Sequence, residues 1–187
     1  MLLPIVKFGH PVLRKKGAPI ERITPEISKL IDDMFETMHE AAGVGLAAQQ
    51  VGHALQLTVI DVRTVEDRPW SLEPGCHPAD VTAALPLVLV NPHVTPAGLQ
   101  QVKGPEGCLS FPEIFEEILR YDSVEVSALN RDGKRISFKA GGLLARAVQH
   151  EVDHLNGILF IDRMAAKDKQ AIKPELDALQ ADTKKQL

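Results

Sequence analysis

The segment that most constrains the fold of this chain follows Gly141-Gly142, because it predicts a helix that carries both a buried face and a chemical one. Its apolar residues recur at helical spacing and form one stripe: Leu144, Val148, Val152 and Leu155. Gly157 then supplies a residue suited to the left-handed conformation in which many helices end. The pattern predicts a helix over residues 142–156.

The same helix contains the sequence His-Glu-Val-Asp-His at residues 150–154. Residues four apart lie on one helix face, so the imidazoles of His150 and His154 can bind a single cation. Glu151 lies about 100° around the helix from His150 and can reach a water on that cation without ligating it. Two imidazoles and a carboxylate base are the groups that a metal-activated water requires. The alternative is a polar helix face that matches by chance.

A catalytic site of this kind needs a third protein ligand and one open position. In one class of zinc peptidases the pattern continues to a third histidine, but Phe160 occupies that position here. A zincin-type peptidase could use a downstream acid, and the candidates are Asp162, Glu175, Asp177 and Asp182. The better candidate lies upstream and is Cys108, although a lone cysteine is more often a buried, inert thiol.

A glycine-rich segment, GVGLAAQQ at residues 43–50, is a second candidate for contact with a ligand. Its glycines and alanines allow the backbone to approach closely, and the side-chain amide of Gln50 could donate to a developing oxyanion. The segment lacks the glycine spacing of a dinucleotide loop and the lysine of a phosphate loop.

The remaining pattern favours an α+β fold over a wound parallel sheet. Thr24 as N-cap and Pro25 in the first turn predict a helix over residues 25–42, with Gly43 as the left-handed residue after it. Strands are predicted at residues 55–62, 86–91, 123–130, 134–138 and 158–161. Asp132-Gly133 favours a two-residue type I′ turn.

These elements predict small antiparallel β-sheets around a central metal-binding helix, with an N-terminal helix. Residues 63–85 show no sustained periodicity and indicate a functional loop or an insertion. Residues 165–187 predict a polar helical tail that Pro174 interrupts.

Composition narrows the class of protein. A length of 187 residues suits one domain, and a net charge of −4 gives no electrostatic footprint for DNA. No apolar stretch is long enough to span a membrane, and the N-terminus lacks the pattern of a secretory signal. The two cysteines, Cys76 and Cys108, exclude a disulfide framework and favour the reducing cytoplasm.

Three segments of the chain also match the motifs of a known family. They are GVGLAAQQ at residues 43–50, EGCLS at residues 106–110 and QHEVDHLNG at residues 149–157. All three are complete and in order, and together they closely resemble the motifs of peptide deformylases. The helix at residues 25–42 and the sequence PVLR at residues 11–14 are also similar to the family, so the resemblance covers most of the chain.

The resemblance implies a metal site and a reaction. It makes Cys108, His150 and His154 the ligands of one divalent metal ion, generally Fe²⁺, which zinc, nickel or cobalt can replace. Glu151 would take a proton from a water at that metal and deliver it to the leaving amine. The Gln50 amide and the Leu109 backbone N–H would help to hold the oxyanion.

The implied substrates are N-formyl-methionyl nascent peptides, bound in extended form beside a strand near Gly45, and the products are formate and a free N-terminal methionine. Val44 and Leu143 are expected to line the pocket together with Gly45. The polar tail could contact the ribosome surface, as in other members of the family. A deformylase-like protein with altered acyl specificity is the alternative, since pocket residues outside the motifs would decide the acyl group.

The sequence also leads to expectations for three further residues. Arg146 lies one turn before His150, and we expect its guanidinium to extend to solvent while its stem lies against the pocket. Asp153 is either a solvated helix acid or the partner of Arg120 in an ion pair that holds the metal helix against the strands. Cys76 is expected to have no role.

Overall fold

The computed structural model describes residues 1–75 and 83–187, so Cys76 and His77 lie outside the described residues. Over the described residues the chain forms four α-helices and eight strands. The helices are α1 (Pro25–Glu40), α2 (Gly142–Leu155), α3 (Ala166–Ala171) and α4 (Lys173–Lys185). The strands are β1 (Gly45–Ala47), β2 (Leu57–Ile60), β3 (Trp70–Pro74), β4 (Leu87–Pro96), β5 (Gln101–Cys108), β6 (Phe111–Tyr121), β7 (Ser123–Leu129) and β8 (Arg135–Gly141).

The strands form two antiparallel sheets, which confirms the predicted fold class. One sheet has six strands in the order β1-β2-β4-β7-β8-β3, and the other is the β5–β6 hairpin. The central strands β2 and β4 are buried on both faces: Val59 packs with Met34 of α1, whereas Ile60 packs with Leu144 of α2. Burial on both faces explains why residues 86–91 read as a continuous apolar run rather than an alternating one.

Helix α1 begins as predicted but ends differently. The Thr24 hydroxyl accepts a hydrogen bond from the Ile27 N–H at 3.3 Å. At the other end the left-handed residue is Ala42, with φ 53°, so the prediction for Gly43 is wrong. The Gly43 N–H instead closes the helix end by donating to the Met38 carbonyl at 2.9 Å. Glycine fits at position 43 for another reason: a Cβ there would lie 2.8 Å from the Leu109 side chain.

Helix α2 ends at the predicted glycine. Gly157 has φ 73°, and its N–H donates to the His154 carbonyl at 3.0 Å. The N–H of Ile158 donates to the Asp153 carbonyl at 2.9 Å, which completes a Schellman ending. Chain packing also requires this glycine, because a Cβ at position 157 would lie 2.5 Å from the Arg14 carbonyl oxygen.

Two local predictions are wrong. The expected strand at residues 158–161 overlaps a 3-10 helix, Phe160–Arg163. A short apolar run fits a strand buried on both faces as well as a buried helical turn, and here Leu159, Phe160 and Ile161 are buried at the start of the turn. The expected two-residue turn at Asp132-Gly133 is a three-residue loop, in which Gly133 has φ 74° and donates to the Asn130 carbonyl at 3.0 Å.

Three strands lie in regions where the sequence predicted none. Residues 63–85 contain β3, which extends the six-stranded sheet by pairing with β8. The β5–β6 hairpin carries many glycine, proline and acidic residues, so it shows no apolar alternation along its length. A bulge between Gly107 and Cys108 and a two-residue turn place Cys108 beside the end of the hairpin.

The tail is helical, as predicted, and breaks at Ile172, with Pro174 in the first turn of α4. Leu176 is buried among the side chains of the body, so α4 packs against the rest of the chain. Across residues 1–75 and 83–187, the helices are too short or too polar to cross a membrane.

Candidate metal centre and active site

Helix α2 and the end of the β5–β6 hairpin bring three metal-ligating side chains together. The ring centroids of His150 and His154 are 5.0 Å apart, as expected for residues one helical turn apart. Cys108 Sγ lies 3.3 Å from His154 Nε2. One ligand atom from each of the three residues lies within 4.8 Å of the others. A thiolate and two imidazoles at this spacing fit a single transition-metal ion with room for a fourth ligand.

Glu106 orients one of these histidines from behind. Its carboxylate accepts a hydrogen bond from His150 Nδ1 at 2.9 Å, which leaves Nε2 for a metal. Arg120 donates to both oxygens of the same carboxylate, at 2.8 and 3.0 Å. Burial alone would raise the pKa of Glu106, but the hydrogen bonds from His150 and Arg120 outweigh burial and hold that pKa below its usual range. Glu106 belongs to one of the sequence motifs but had no predicted role; its position two residues before the candidate ligand Cys108 was the available signal.

Glu151 is buried beside Cys108, His150 and His154. Its Oε2 atom has no hydrogen-bond partner within the described part of the chain. Burial raises the pKa of this carboxyl to about 7, although the charge of His150 opposes the rise. The lack of a side chain at Gly45 leaves room for the Glu151 carboxylate, because a Cβ at position 45 would lie 2.3 Å from Glu151 Oε1.

Gln50 presents its amide nitrogen to the same space. Its Oε1 accepts a hydrogen bond from the Ala47 N–H at 2.9 Å, which turns Nε2 toward the site. Nε2 lies 3.4 Å from Cys108 Sγ and 3.3 Å from Ser110 Oγ. Leu109 lies in the turn after Cys108, and its carbonyl accepts a hydrogen bond from Lys7 Nζ at 2.7 Å.

A cavity of about 460 Å³ opens onto these groups. The predicted pocket residues Val44, Gly45 and Leu143 all line it, together with Gln50, Cys108, Leu109, His150 and Glu151. Lys7, Arg68 and Phe115 also line the cavity. No spacing or motif connects these three residues, which come from separate regions of the sequence and meet only through the fold.

Comparison with known proteins identifies the family. The family model described as Polypeptide deformylase matches residues 2–170. A peptide deformylase from Opitutus terrae is 44% identical over 181 residues, which cover 96% of this chain and 93% of that protein. This chain belongs to the peptide deformylase family.

Solved structures agree with this assignment. A peptide deformylase from Legionella pneumophila matches with a TM-score of 0.80 at 34% identity, covering 97% of this chain and 96% of that one. Peptide deformylase 1B from Arabidopsis thaliana, in complex with an inhibitor, matches with a TM-score of 0.83 at 36% identity, covering 98% and 93%. The chain is therefore a metal-dependent hydrolase that removes the N-terminal formyl group from newly made polypeptides.

The zincin alternative finds no support in the positions of the downstream acids. Asp162 is held by Arg14, which also bonds the Gly157 carbonyl just after α2. Asp177 and Asp182 pair with lysines on the surface of the tail. Over the residues that the structure describes, the group able to hold a metal contains Cys108 and none of the four downstream acids, Asp162, Glu175, Asp177 and Asp182.

Two expectations about charged residues near α2 have different outcomes. The Arg120–Asp153 pair is confirmed, with Nη1 2.6 Å from Oδ2, and Arg163 bonds the other oxygen of Asp153 at 2.7 Å. The expectation for Arg146 is right in part: the residue lines the cavity, as predicted, but its guanidinium is buried rather than exposed and donates to Glu106 and to backbone carbonyls of β5 and β6. The guanidinium turns inward because these acceptors replace the water that it loses.

Proposed function

We propose that Cys108, His150 and His154 hold the metal ion, that this ion is Fe²⁺, and that Glu151 moves the protons of deformylation. One observation carries the proposal: three ligand atoms lie within 4.8 Å of one another beside the buried carboxylate of Glu151. The donor set also suits zinc, nickel and cobalt, so membership of the family supports iron in particular. A divalent ion in this position supplies Lewis acidity, which makes water nucleophilic at neutral pH and polarises a carbonyl group.

Groups of this protein carry out the proton transfers and bind the oxyanion. The Glu151 carboxylate accepts a proton from the attacking water and donates it to the nitrogen of the leaving amine. The Gln50 Nε2–H and the Leu109 backbone N–H donate to the formyl oxygen as it gains negative charge. Gln50 is already oriented for this, since the Ala47 N–H fixes its Oε1.

The N-formyl-methionyl peptide lies in extended form along β1. This strand ends the order of the six-stranded sheet, and β2 is its neighbour on one side. Its other edge is therefore available to an added strand, the usual way in which a sheet binds an extended peptide. Val44 and Leu143 supply apolar walls beside Gly45 for the methionine side chain.

The decisive experiment is anaerobic purification with metal analysis, followed by measurement of formate released from a formyl-Met peptide. We expect about one iron per chain and rapid formate release, both abolished in a Cys108→Ala variant. An N-acetyl-Met peptide is the matched substrate, and equal cleavage of it would favour altered acyl specificity. A fully active Cys108→Ala variant that retains the metal would contradict the proposed ligand set.

The location of the enzyme follows from its thiol ligand. Oxidation of Cys108 would remove a ligand, so the proposed site requires a reducing compartment such as the cytoplasm. We further propose that the helices α3 and α4 contact the ribosome surface through exposed lysines. Cosedimentation of the full chain with ribosomes tests this contact, and a Lys184→Glu/Lys185→Glu variant that cosediments equally well would contradict it.

A further inference from the structure

In the part of the chain that the structure describes, the metal ligands belong to two pieces of structure that no sheet hydrogen bonds connect. His150 and His154 lie on α2, which packs on the six-stranded sheet, whereas Cys108 ends one strand of the separate β5–β6 hairpin. An isolated two-stranded hairpin is marginally stable by itself. The distance from the thiol to the imidazoles therefore depends on contacts that fix the hairpin on α2.

Arg146 makes such contacts on both strands of the hairpin. From α2 its guanidinium donates to the carbonyls of Val102 and Gly104 on β5, at 2.8 and 3.3 Å. It also donates to the carbonyl of Ile118 on β6 at 2.8 Å. The hairpin backbone lies so close that a Cβ at position 104 would be 2.9 Å from Arg146 Nη2. One side chain thus joins the helix to two strands through main-chain atoms.

The same guanidinium also reaches a metal ligand through one intermediate residue. Arg146 Nη1 lies 3.0 Å from Glu106 Oε1, and Glu106 Oε2 lies 2.9 Å from His150 Nδ1. Arg146 is only 7% exposed, and both of its Nη atoms find acceptors that replace water, as a buried cation requires. Arginine suits this position because it presents five donors in a rigid plane, whereas lysine presents one compact charge.

We propose that Arg146 is a positioning residue that clamps the β5–β6 hairpin onto α2 and so sets the position of Cys108 relative to His150 and His154. The proposal rests on the metal site of the proposed function. Arg146 acts through the hairpin backbone and through Glu106 and takes no part in bond making. Its loss should therefore loosen the metal more than it weakens the fold.

The test uses the full chain loaded with Co²⁺, whose absorption reports the bond to a thiolate. The variants are Arg146→Met, which keeps the stem, and Arg146→Lys, which keeps the charge. Arg163→Met is the matched control, because Arg163 likewise bonds an acid near the site but is 46% exposed and pairs with Asp153 of α2 rather than with Glu106. The measurements are the rate at which EDTA removes Co²⁺, the intensity of the thiolate–Co²⁺ band and the temperature of unfolding.

We expect Arg146→Met to release Co²⁺ about 10–100-fold faster, with a weakened thiolate band, because supporting residues contribute about that much to metal affinity. Arg146→Lys should release Co²⁺ at a rate between those of Arg146→Met and the parent. Arg163→Met should release Co²⁺ within about twofold of the parent rate, since a half-exposed ion pair contributes little. Release from Arg146→Met at the parent rate, with an unchanged band, would overturn the proposal.

A milder variant covers the case in which Arg146→Met does not fold. In Gly104→Ala the new methyl group displaces the guanidinium without removing it, and we expect release to be about 3–10-fold faster. Parental release from a folded Gly104→Ala protein would then overturn the proposal. Lack of a thiolate band in the parent itself would instead overturn the ligand set, so the two failures are distinguishable.

Discussion

The two long helices beside the active site differ in the chemistry of their buried positions. In α1 the side chains with no exposed area, Ile31, Met34 and Met38, are apolar and face the sheet, and the buried polar residues are Asp33 and Thr37. In α2 the buried positions also include Arg146 and Asp153, besides both histidines and Glu151. Burial of apolar area stabilises α1 without a specific partner, whereas each buried polar group of α2 needs one.

Most polar groups of α2 obtain their partners from the hairpin. Glu106 and Arg120 bond His150 and Asp153, and backbone carbonyls of β5 and β6 accept from Arg146. Glu151 and His154 are the contrasting cases, because Glu151 Oε2 and His154 Nδ1 find no partner in the described part of the chain. A buried polar group without a partner lowers the stability of the fold, which indicates that α2 contains it for its chemistry. The following experiments test that contrast.

The largest effect is expected for Glu151→Gln. Loss of the proton acceptor should lower kcat by about 10²–10⁴-fold while the metal stays bound. The unfolding temperature should not fall, because the substitution removes a buried charge that lacks a partner. Formate release, metal analysis and thermal unfolding measure the three quantities. Near-normal turnover by the metal-loaded variant would contradict the assigned role.

Gln50→Leu should have the next largest effect. The substitution keeps a similar volume but removes the amide donor, and removal of one oxyanion donor lowers kcat by about 10²-fold. Steady-state kinetics on a formyl-Met peptide measure the loss, which should fall on kcat rather than KM. An unchanged kcat would mean that Gln50 only shapes the loop around Ala47.

Met34→Ala tests the other helix. Met34 is 0% exposed, and truncation of such a side chain costs about 2–5 kcal/mol of unfolding free energy. Urea unfolding measures this cost, with exposed Glu40→Ala as the control on the same helix. At a temperature where the variant is folded, kcat should equal that of the parent. A selective loss of kcat would break the contrast between the two helices.

The smallest effect concerns the polar contact of α1 with the sheet. Asp61 is buried and bonds Arg63 at 2.8 Å and His39 of α1 at 3.1 Å. Hydrogen bonds from Arg63, partly offset by burial, lower the pKa of Asp61 from 3.8 to about 2. Because the folded pKa is the lower one, the contribution to stability is present above about pH 4 and is lost as the pH falls toward 2.

Asp61→Asn should therefore cost about 1–2 kcal/mol near neutral pH, after allowance for the solvent around Arg63. Its stability should also fall less steeply than that of the parent between about pH 4 and pH 2. Urea unfolding across this range measures both effects. The exposed Asp32, which pairs with Arg131, provides the control variant Asp32→Asn. Parallel curves for parent and Asp61→Asn would contradict the assignment.

Sequence patterns predicted the structure correctly where interactions between residues close in the sequence determine it. The Thr24 cap, the Gly157 ending and the apolar stripes of α1 and α2 follow from backbone hydrogen bonding and helical periodicity. The same rules failed for residues 158–161, where three consecutive side chains are buried by neighbours distant in sequence. They also failed for the β5–β6 hairpin, because its inward-facing positions include polar residues such as Glu106 and Arg120, so burial alternates along the strands but residue type does not.

By itself, the sequence determined the α+β class, the spacing of His150, Glu151 and His154 on one helix face, and, through its motifs, the resemblance to the family. It could not determine where the buried charges find partners, since those partners are distant in the chain. The inward turn of Arg146, the support of His150 by Glu106 and the access of Glu151 past Gly45 were decided by tertiary structure. Periodicity fixes which face of a helix a residue occupies, but only packing brings the acceptors that a buried charge requires.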